Sequence, residues 1–225
     1  MLDIAGAFNI RHLEYKLLQQ TDNQQRLLLI DKLASHCAFT NIRKAQKLLA
    51  EQRKILDRYD FPDLLLNFHL NTAIVENQLY NYYLAEIHFL KAIELLDERG
   101  GIKQQAEAYI DYAGTCMNLA KMEPATKLLR RAGKQLTAFP DERLQARLVC
   151  REGYLNLHYS NFSKATELFL EADKAITTLG DDLDIKDYYF LTLIHSGLGK
   201  IYERNTEREQ SVRAYLRSEE HTSEL

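Results

Sequence analysis

Asn67 and Asn71 stand four residues apart, so on a helix their carboxamides line up one turn from each other. A carboxamide both donates and accepts hydrogen bonds, which is what pairing with an extended polypeptide backbone requires. Leu70, Ile74 and Asn77 share that helical phase. Two further segments carry comparable sets: Glu107, Ile110, Asp111 and Asn118, and then Arg147, Cys150, Arg151, Tyr154 and His158. Donors, acceptors and apolar groups mixed on one face suit holding a partner better than breaking a bond.

Bond-breaking chemistry finds no support elsewhere in the chain. His36 and Cys37 are a nucleophile and a base by type, but adjacent helical residues point about 100° apart and do not face each other. A buried thiol beside a solvent-reaching imidazole is the expected arrangement. Cys37, Cys116 and Cys150 form no Cys-x-x-Cys pair and have no His at zinc-ligand spacing, and His-Glu-x-x-His is absent. Gly197-Leu198-Gly199 lacks the third glycine of a phosphate-binding loop. Glu107, Asp111, Glu142 and Glu152 fall on helical surfaces, and so does the basic run from Lys127 to Arg131 with Lys134. Tyr80, Tyr82 and Tyr83 are expected to pack between elements. No catalytic residue, cofactor or metal is expected. The net charge of −3 gives no electrostatic reason to bind nucleic acid. No apolar run reaches the ~20 residues of a membrane span, and the start lacks the pattern of a secretory signal. A cytoplasmic protein is the expectation, and sparse, odd-numbered cysteines agree with a reducing compartment.

The elements that position these side chains repeat. At a step of 40 residues, Ala45, Ala85, Ala125 and Ala165 share a column, as do Leu49, Phe89, Leu129 and Phe169. So do Gln52, Ala92, Ala132 and Ala172, then Leu56, Leu96, Leu136 and Ile176. Offsets of this kind trace one stripe of a helix. A second column set, Leu33, Ala73, Ala113 and Gly153, marks a partner helix that comes close. Asn41, Asn81 and Asn161, with Lys121 between them, precede the second helix and read as caps or tight-turn residues. An amphipathic hairpin alone leaves its apolar face in water, and stacked copies cover it. With only 3 prolines and 9 glycines, the chain is predicted to be all-α, a solenoid of antiparallel helix pairs.

The pattern Ala-x3-Phe-x2-Ala at Ala85, Phe89, Ala92 and at Ala165, Phe169, Ala172 resembles the second helix of a tetratricopeptide repeat. Leu198-Gly199-Lys200-Ile201-Tyr202 is similar to the family's first helix, followed by Ser211 and Tyr215 in the small and aromatic places. The resemblance spans about residues 22–216, as four repeats and most of a fifth. It departs from the family in its 40-residue step, in having no tryptophan and in lacking the closing proline. HEAT-like repeats have the nearer period, while the small–aromatic–small column is of the tetratricopeptide kind. The resemblance implies a groove lined by first helices that binds a protein or an extended peptide. On this sequence the candidate groove residues are Asn67, Asn71, Asn77, Asp111, Asn118, Arg147, Arg151, Tyr154 and His158, with Asn71, Asn118 and Arg151 expected on one surface.

Boundaries follow the same period. Thr21-x-x-Gln24 reads as a capping box, Pro62, Pro124 and Pro140 as helix starts, and Gly100-Gly101 and Gly180 as stops. Residues 1–21, with Ile4, Phe8, Leu13, Leu17 and Leu18, are expected to form a capping helix or half-repeat. Residues 217–225 resemble the in-frame translation of a sequencing-library adapter. They are therefore expected to be non-native, loosely held and preceded by a short, uncapped last helix that promotes self-association. The expected role is the sensing or docking part of a longer signalling protein. A free-standing scaffold or co-chaperone is the alternative, and an enzyme comes last.

Overall fold

The computed structural model describes residues 4–99 and 101–225 and consists of eleven α-helices and one short 3-10 turn among them, with no strand. It divides into two compact units, residues 1–99 and 100–225. The first holds α1 (Ile4–Gln19), α2 (Asn23–Thr40), α3 (Ile42–Leu56), α4 (Pro62–Gln78) and α5 (Tyr82–Arg99). The second holds α6 (Ile102–Asn118), α7 (Met122–Ala138), α8 (Glu142–His158), α9 (Phe162–Thr177), α10 (Ile185–Arg204) and α11 (Arg208–Ser223). Each repeat is a hairpin: α2 with α3, α4 with α5, α6 with α7, α8 with α9, and α10 with α11. The fold is thus an all-α solenoid of helix pairs. No described helix is long and apolar enough to cross a membrane.

The columns read from sequence are the packing positions. Ala45, Ala85, Ala125 and Ala165 are fully buried, and so are Ala92, Ala132 and Ala172. Gln52 takes the place of that last alanine in the first repeat and is also fully buried. At Ala85, Ala125 and Ala165 the neighbouring helix leaves no room for a larger side chain. Leucine in place of Ala85, Ala125 or Ala165 is expected to cost ~1–3 kcal/mol through overpacking. Urea unfolding of the three variants checks this, and wild-type stability in all of them would contradict it.

Turn chemistry differs from the reading of the Asn column. The left-handed residue lies one place earlier, at Tyr80, Ala120, Ser160 and Thr206, with φ of 63°, 57°, 61° and 64°. In each case the next residue's N–H reaches the carbonyl five back, as in Asn81 to Glu76 at 2.9 Å and Lys121 to Cys116 at 2.8 Å. This closes the helix as a Schellman turn without glycine. Asn41 caps through its side chain, accepting from the Lys44 N–H at 3.1 Å, whereas Lys121 and Asn161 make no such bond. The cap of α2 is Asp22, which accepts from Gln25 N–H at 2.8 Å, rather than Thr21. Pro62 opens α4, whereas Pro124 is the third residue of α7 and Pro140 precedes the Asp141 cap of α8. Gly101 precedes α6, Gly180 has φ of +57°, and Gly100 lies outside the described residues. Of the N-terminal apolar set, Leu17 is buried and Leu18 is 84% exposed; the side chains of Ile4 and Phe8 are also outside the description.

Two expectations are corrected. Tyr80 and Tyr83 do not pack between elements: they are 78% and 72% exposed, because the left-handed turn turns Tyr80 outward and Tyr83 lies on the outer face of α5. The last helix is not short, and residues 217–223 continue it, although none of residues 217–225 is buried in the core. α11 runs 16 residues, Ser218 Oγ donates to the Thr192 carbonyl at 3.0 Å, and the His221 ring stacks on His195 at 5.2 Å. The reason lies in spacing: Ser211, Ala214, Ser218 and His221 follow one helical stripe, and nothing between them breaks a helix.

Candidate functional site

First helices carry two polar columns with the 40-residue step. One is Asn67, Glu107, Arg147 and Asp187; the other, one turn along, is Asp31, Asn71, Asp111 and Arg151. Within each unit they bond from one repeat to the next, as a ladder.

In the first unit the ladder joins α2 to α4. Asn71 Nδ2 donates to Asp31 Oδ1 at 2.8 Å, and Asn67 Nδ2 donates to Asp31 Oδ2 at 3.0 Å. Asn71 is buried at 7% exposure, while Asp31 and Asn67 are half-buried. Burial pushes the Asp31 carboxyl up to about 6, against the pull of the two carboxamides. Leu70, Ile74 and Asn77 are half-buried on the same helix.

In the second unit the ladder is ionic. Arg147, at 3% exposure, places Nη2 2.7 Å from both Asp184 Oδ1 and Asp187 Oδ1, with Nη1 3.3 Å from Glu107. Asp187 is fully buried, and Arg143 Nε approaches its other oxygen at 3.1 Å. Lys186 Nζ donates to Glu107 at 2.6 Å and to Asp111. Burial opposes the Lys186 charge, but Asp111 and Glu107 outweigh it and hold the ammonium's pKa above its ordinary value. Arg151 lies with its guanidinium carbon 4.9 Å over the Phe190 ring and donates to Tyr189. Gly114 makes room for it, since a Cβ there would sit 2.6 Å from that carbon.

The remaining candidates divide. Tyr154 donates to the Leu193 carbonyl at 2.6 Å, and its ring meets Phe169 edge-on at 5.1 Å. Ile110 and Cys150 are buried in the core. Asn118 and His158 are exposed. Asn71 belongs to the first unit and Asn118 and Arg151 to the second. Sequence reading missed Asp31 and Asp187, though both stand 40 residues from a residue it chose. It also missed Lys186 and Asp184, which lie off the columns and which no spacing argument indicates.

A second titratable pair lies between α4 and α5. His69 Nδ1 is 2.9 Å from His88 Nδ1, and Phe68 meets both rings edge-on. Burial, then His88, Lys91 and Arg53, lower the His69 pKa from 6.5 to about 4. The unfolded chain therefore binds the His69 proton more tightly, and this group's contribution is lost as pH falls below 6.5. Asp31 has the opposite sign. Its folded pKa of about 6 exceeds the ordinary 3.8, so its contribution is full below 3.8 and lost as pH rises through 6. Asp31→Asn removes the opposing term. Relative to wild type, its stability is expected to fall between pH 7 and 4.5, as read by urea midpoints at both values. An unchanged difference would show that Asp31 holds no extra proton in the fold.

The three cysteines are buried and in no disulfide, and burial pushes Cys150 up to about 12. No group of three His, Cys, Asp or Glu side chains could hold a metal ion among the described residues. A groove of about 470 Å³ between α9, α10 and α11 contains His195, whose Nε2 is 3.0 Å from Asp173 Oδ1. No serine, threonine or cysteine lines it. A second groove, of about 480 Å³, is floored by Leu136, Ala146, Val149 and Ala172 and lies away from the ladder.

No family model and no curated protein matches the sequence. Solved structures do match the fold. The Rap protein complexed with Competence and Sporulation Factor superposes with a TM-score of 0.73 at 14% identity, covering 95% of this chain and 69% of that one. BtubC from P. vanneervenii gives 0.62 at 17% identity, over 97% and 89%. A signal transduction ATPase from Pyrococcus horikoshii, which has a tetratricopeptide repeat sensor, gives 0.63 at 13% identity. The chain covers 38% of that ATPase and 93% of itself is matched. At these identities the likeness is one of fold, and the tetratricopeptide resemblance finds its support in structure alone.

Proposed function

We propose that the chain is a protein-binding helical-repeat module that holds an extended peptide, or an extended part of a partner, along its first helices. The observation that carries this is the carboxamide pair Asn67 and Asn71, fixed in one orientation by Asp31 and standing one turn apart on α4. Their N–H groups are committed to the carboxylate; half-buried Asn67 offers its carbonyl oxygen to a peptide N–H, while buried Asn71 serves by holding Asp31 in place. Asn71→Ala is not a harmless surface change, because it withdraws a donor from a part-buried carboxylate.

Two neighbours in fold support a sensing role. One was solved in complex with a Competence and Sporulation Factor, and the other contains a repeat sensor within a signal transduction ATPase. On this reading the chain is the docking part of a longer signalling protein, in a reducing compartment suited to three cysteines outside any disulfide. A free-standing scaffold is the second reading, favoured by the 89% coverage of BtubC. Self-association belongs to the same proposal, since Leu170, Val212 and Leu216 are each half exposed or more. An array of extended decapeptides of varied composition, probed with the intact chain, tests the peptide reading. Saturable binding is expected, weakened about tenfold by Asn67→Ala, with circular dichroism unchanged. An array that retains no chain would remove it.

A further inference from the structure

The two ladders differ in one respect that bears on what the first unit binds. In the second unit, every ladder carboxylate has a cation against it: Lys186 serves Glu107 and Asp111, and Arg147 and Arg143 serve Asp187. Asp31 has none. Its oxygens are taken by the neutral carboxamides of Asn67 and Asn71, with that of buried Gln52 also beside them, and no described lysine, arginine or histidine lies in ion-pair contact with it. Lys32, its neighbour in sequence, attracts it only through space and is itself exposed.

Carboxamides are weak compensation for a carboxylate drawn out of water, because they supply dipoles and leave the net charge uncancelled. Burial accordingly lifts the acid towards its protonated form. Asp31 is half-buried, not sealed, and half-buried Asn67 forms one wall of its seat. A cation brought to this point would meet a fixed, partly desolvated carboxylate whose two donors already hold it in place.

We propose that Asp31, held by Asn67 and Asn71, is the receptor for a cationic group of the ligand, an arginine or lysine side chain of an extended peptide. This rests on the peptide-binding reading for the nature of the ligand, and on the ladder geometry for the place and the charge. Asp31 is then a specificity residue: the Asn67 carboxamide serves any peptide backbone, and the carboxylate selects the basic side chain.

The test uses the intact chain and two readouts. In the first, the Asp31 side-chain carbon is followed by NMR through a pH titration, its signal assigned with Asp31→Asn. The titration is repeated with millimolar N-acetyl-arginine amide and with its neutral isostere, N-acetyl-citrulline amide. The midpoint, about 6 in the free chain, is expected to fall with the arginine compound and stay put with the citrulline one. No movement, or equal movement with both, would overturn the proposal. In the second, basic residues should be preferred at one position of bound array peptides by about tenfold, and Asp31→Asn should abolish the preference. Bound peptides without a basic preference, or a preference that survives Asp31→Asn, would also overturn it. If the arginine compound shifts the midpoint while no array peptide binds, the cation site stands and the peptide-binding reading falls.

Discussion

Replacing Arg147 with alanine is expected to cost about 3–5 kcal/mol of stability, the cost of leaving a buried charge without its partner. The charge in question is Asp187, fully buried, with Oδ1 only 2.7 Å from Arg147 Nη2 and 3.0 Å from Nε. Arg143 touches the other oxygen at 3.1 Å, so half the compensation would survive. What is lost includes Asp184, which receives Nη2 through both its oxygens at 2.7 Å. Asp184 and Asp187 are also the capping box that opens α10, so their displacement would loosen that helix start. Arg147 thus ties α8 to the first turn of α10 through the same two carboxylates that begin the helix. Adding Asp187→Asn to Arg147→Ala removes the orphaned charge and should recover part of the loss. Urea unfolding followed by circular dichroism measures both. A single variant within ~0.5 kcal/mol of wild type would place the network among the solvent-screened surface pairs, which contribute little.

The residues that build this network show what sequence can and does not disclose. Arg147, Asp111 and Asn71 were legible because a polar side chain on a first helix stands out against a fixed period. The same period reaches Asp31, one repeat back from Asn71; Asp187 stands 40 residues from Arg147 in sequence but sits in the first turn of α10, earlier in its helix than Arg147 in α8. Lys186 and Asp184 are different. They come from the insertion that stretches the last step to 46 residues, where the periodic argument lapses and only the path of the loop decides what meets Glu107 and Asp111. Burial was the harder quantity. A polar residue facing away from the small-residue column reads as solvated, yet Arg147, Arg151 and Asn71 are all buried: α10 of the next repeat supplies partners to the two arginines, and Asp31 of the preceding repeat takes the Asn71 carboxamide. Helix stripes resolve which residues share a face, and stacking resolves which faces meet. The tail illustrates the same limit from the other side: its composition is polar, but Ser218 and His221 keep the stripe of Ser211 and Ala214, and periodicity prevails over composition.

Phe169 is expected to show the largest effect of any core truncation, with Phe169→Ala costing about 3–5 kcal/mol. Its ring is fully buried and lies between two glycines from neighbouring first helices, Gly153 on α8 and Gly197 on α10. A Cβ on Gly153 would come 2.8 Å from the ring, and one on Gly197 would come 2.6 Å from Cζ. The glycines are therefore there for space: they let the two first helices close on an aromatic from α9, the helix that follows α8 and precedes α10. Tyr154 adds an edge-on contact at 5.1 Å, which would also be lost. Gly197→Ala should overpack the same spot at ~1–3 kcal/mol, since the ring is pinned on its other face by Gly153 and has no free direction to retreat. The two sites must then couple. In a Phe169→Leu background the added methyl meets a smaller, more flexible neighbour, and Gly197→Ala should cost less than it does opposite phenylalanine. A double-mutant cycle on urea-unfolding free energies reads the difference directly, and contacting residues of this kind couple by ~0.5–3 kcal/mol. Additive effects would mean that ring and glycine do not touch, and the close approach of α8 and α10 across α9 would lose its explanation.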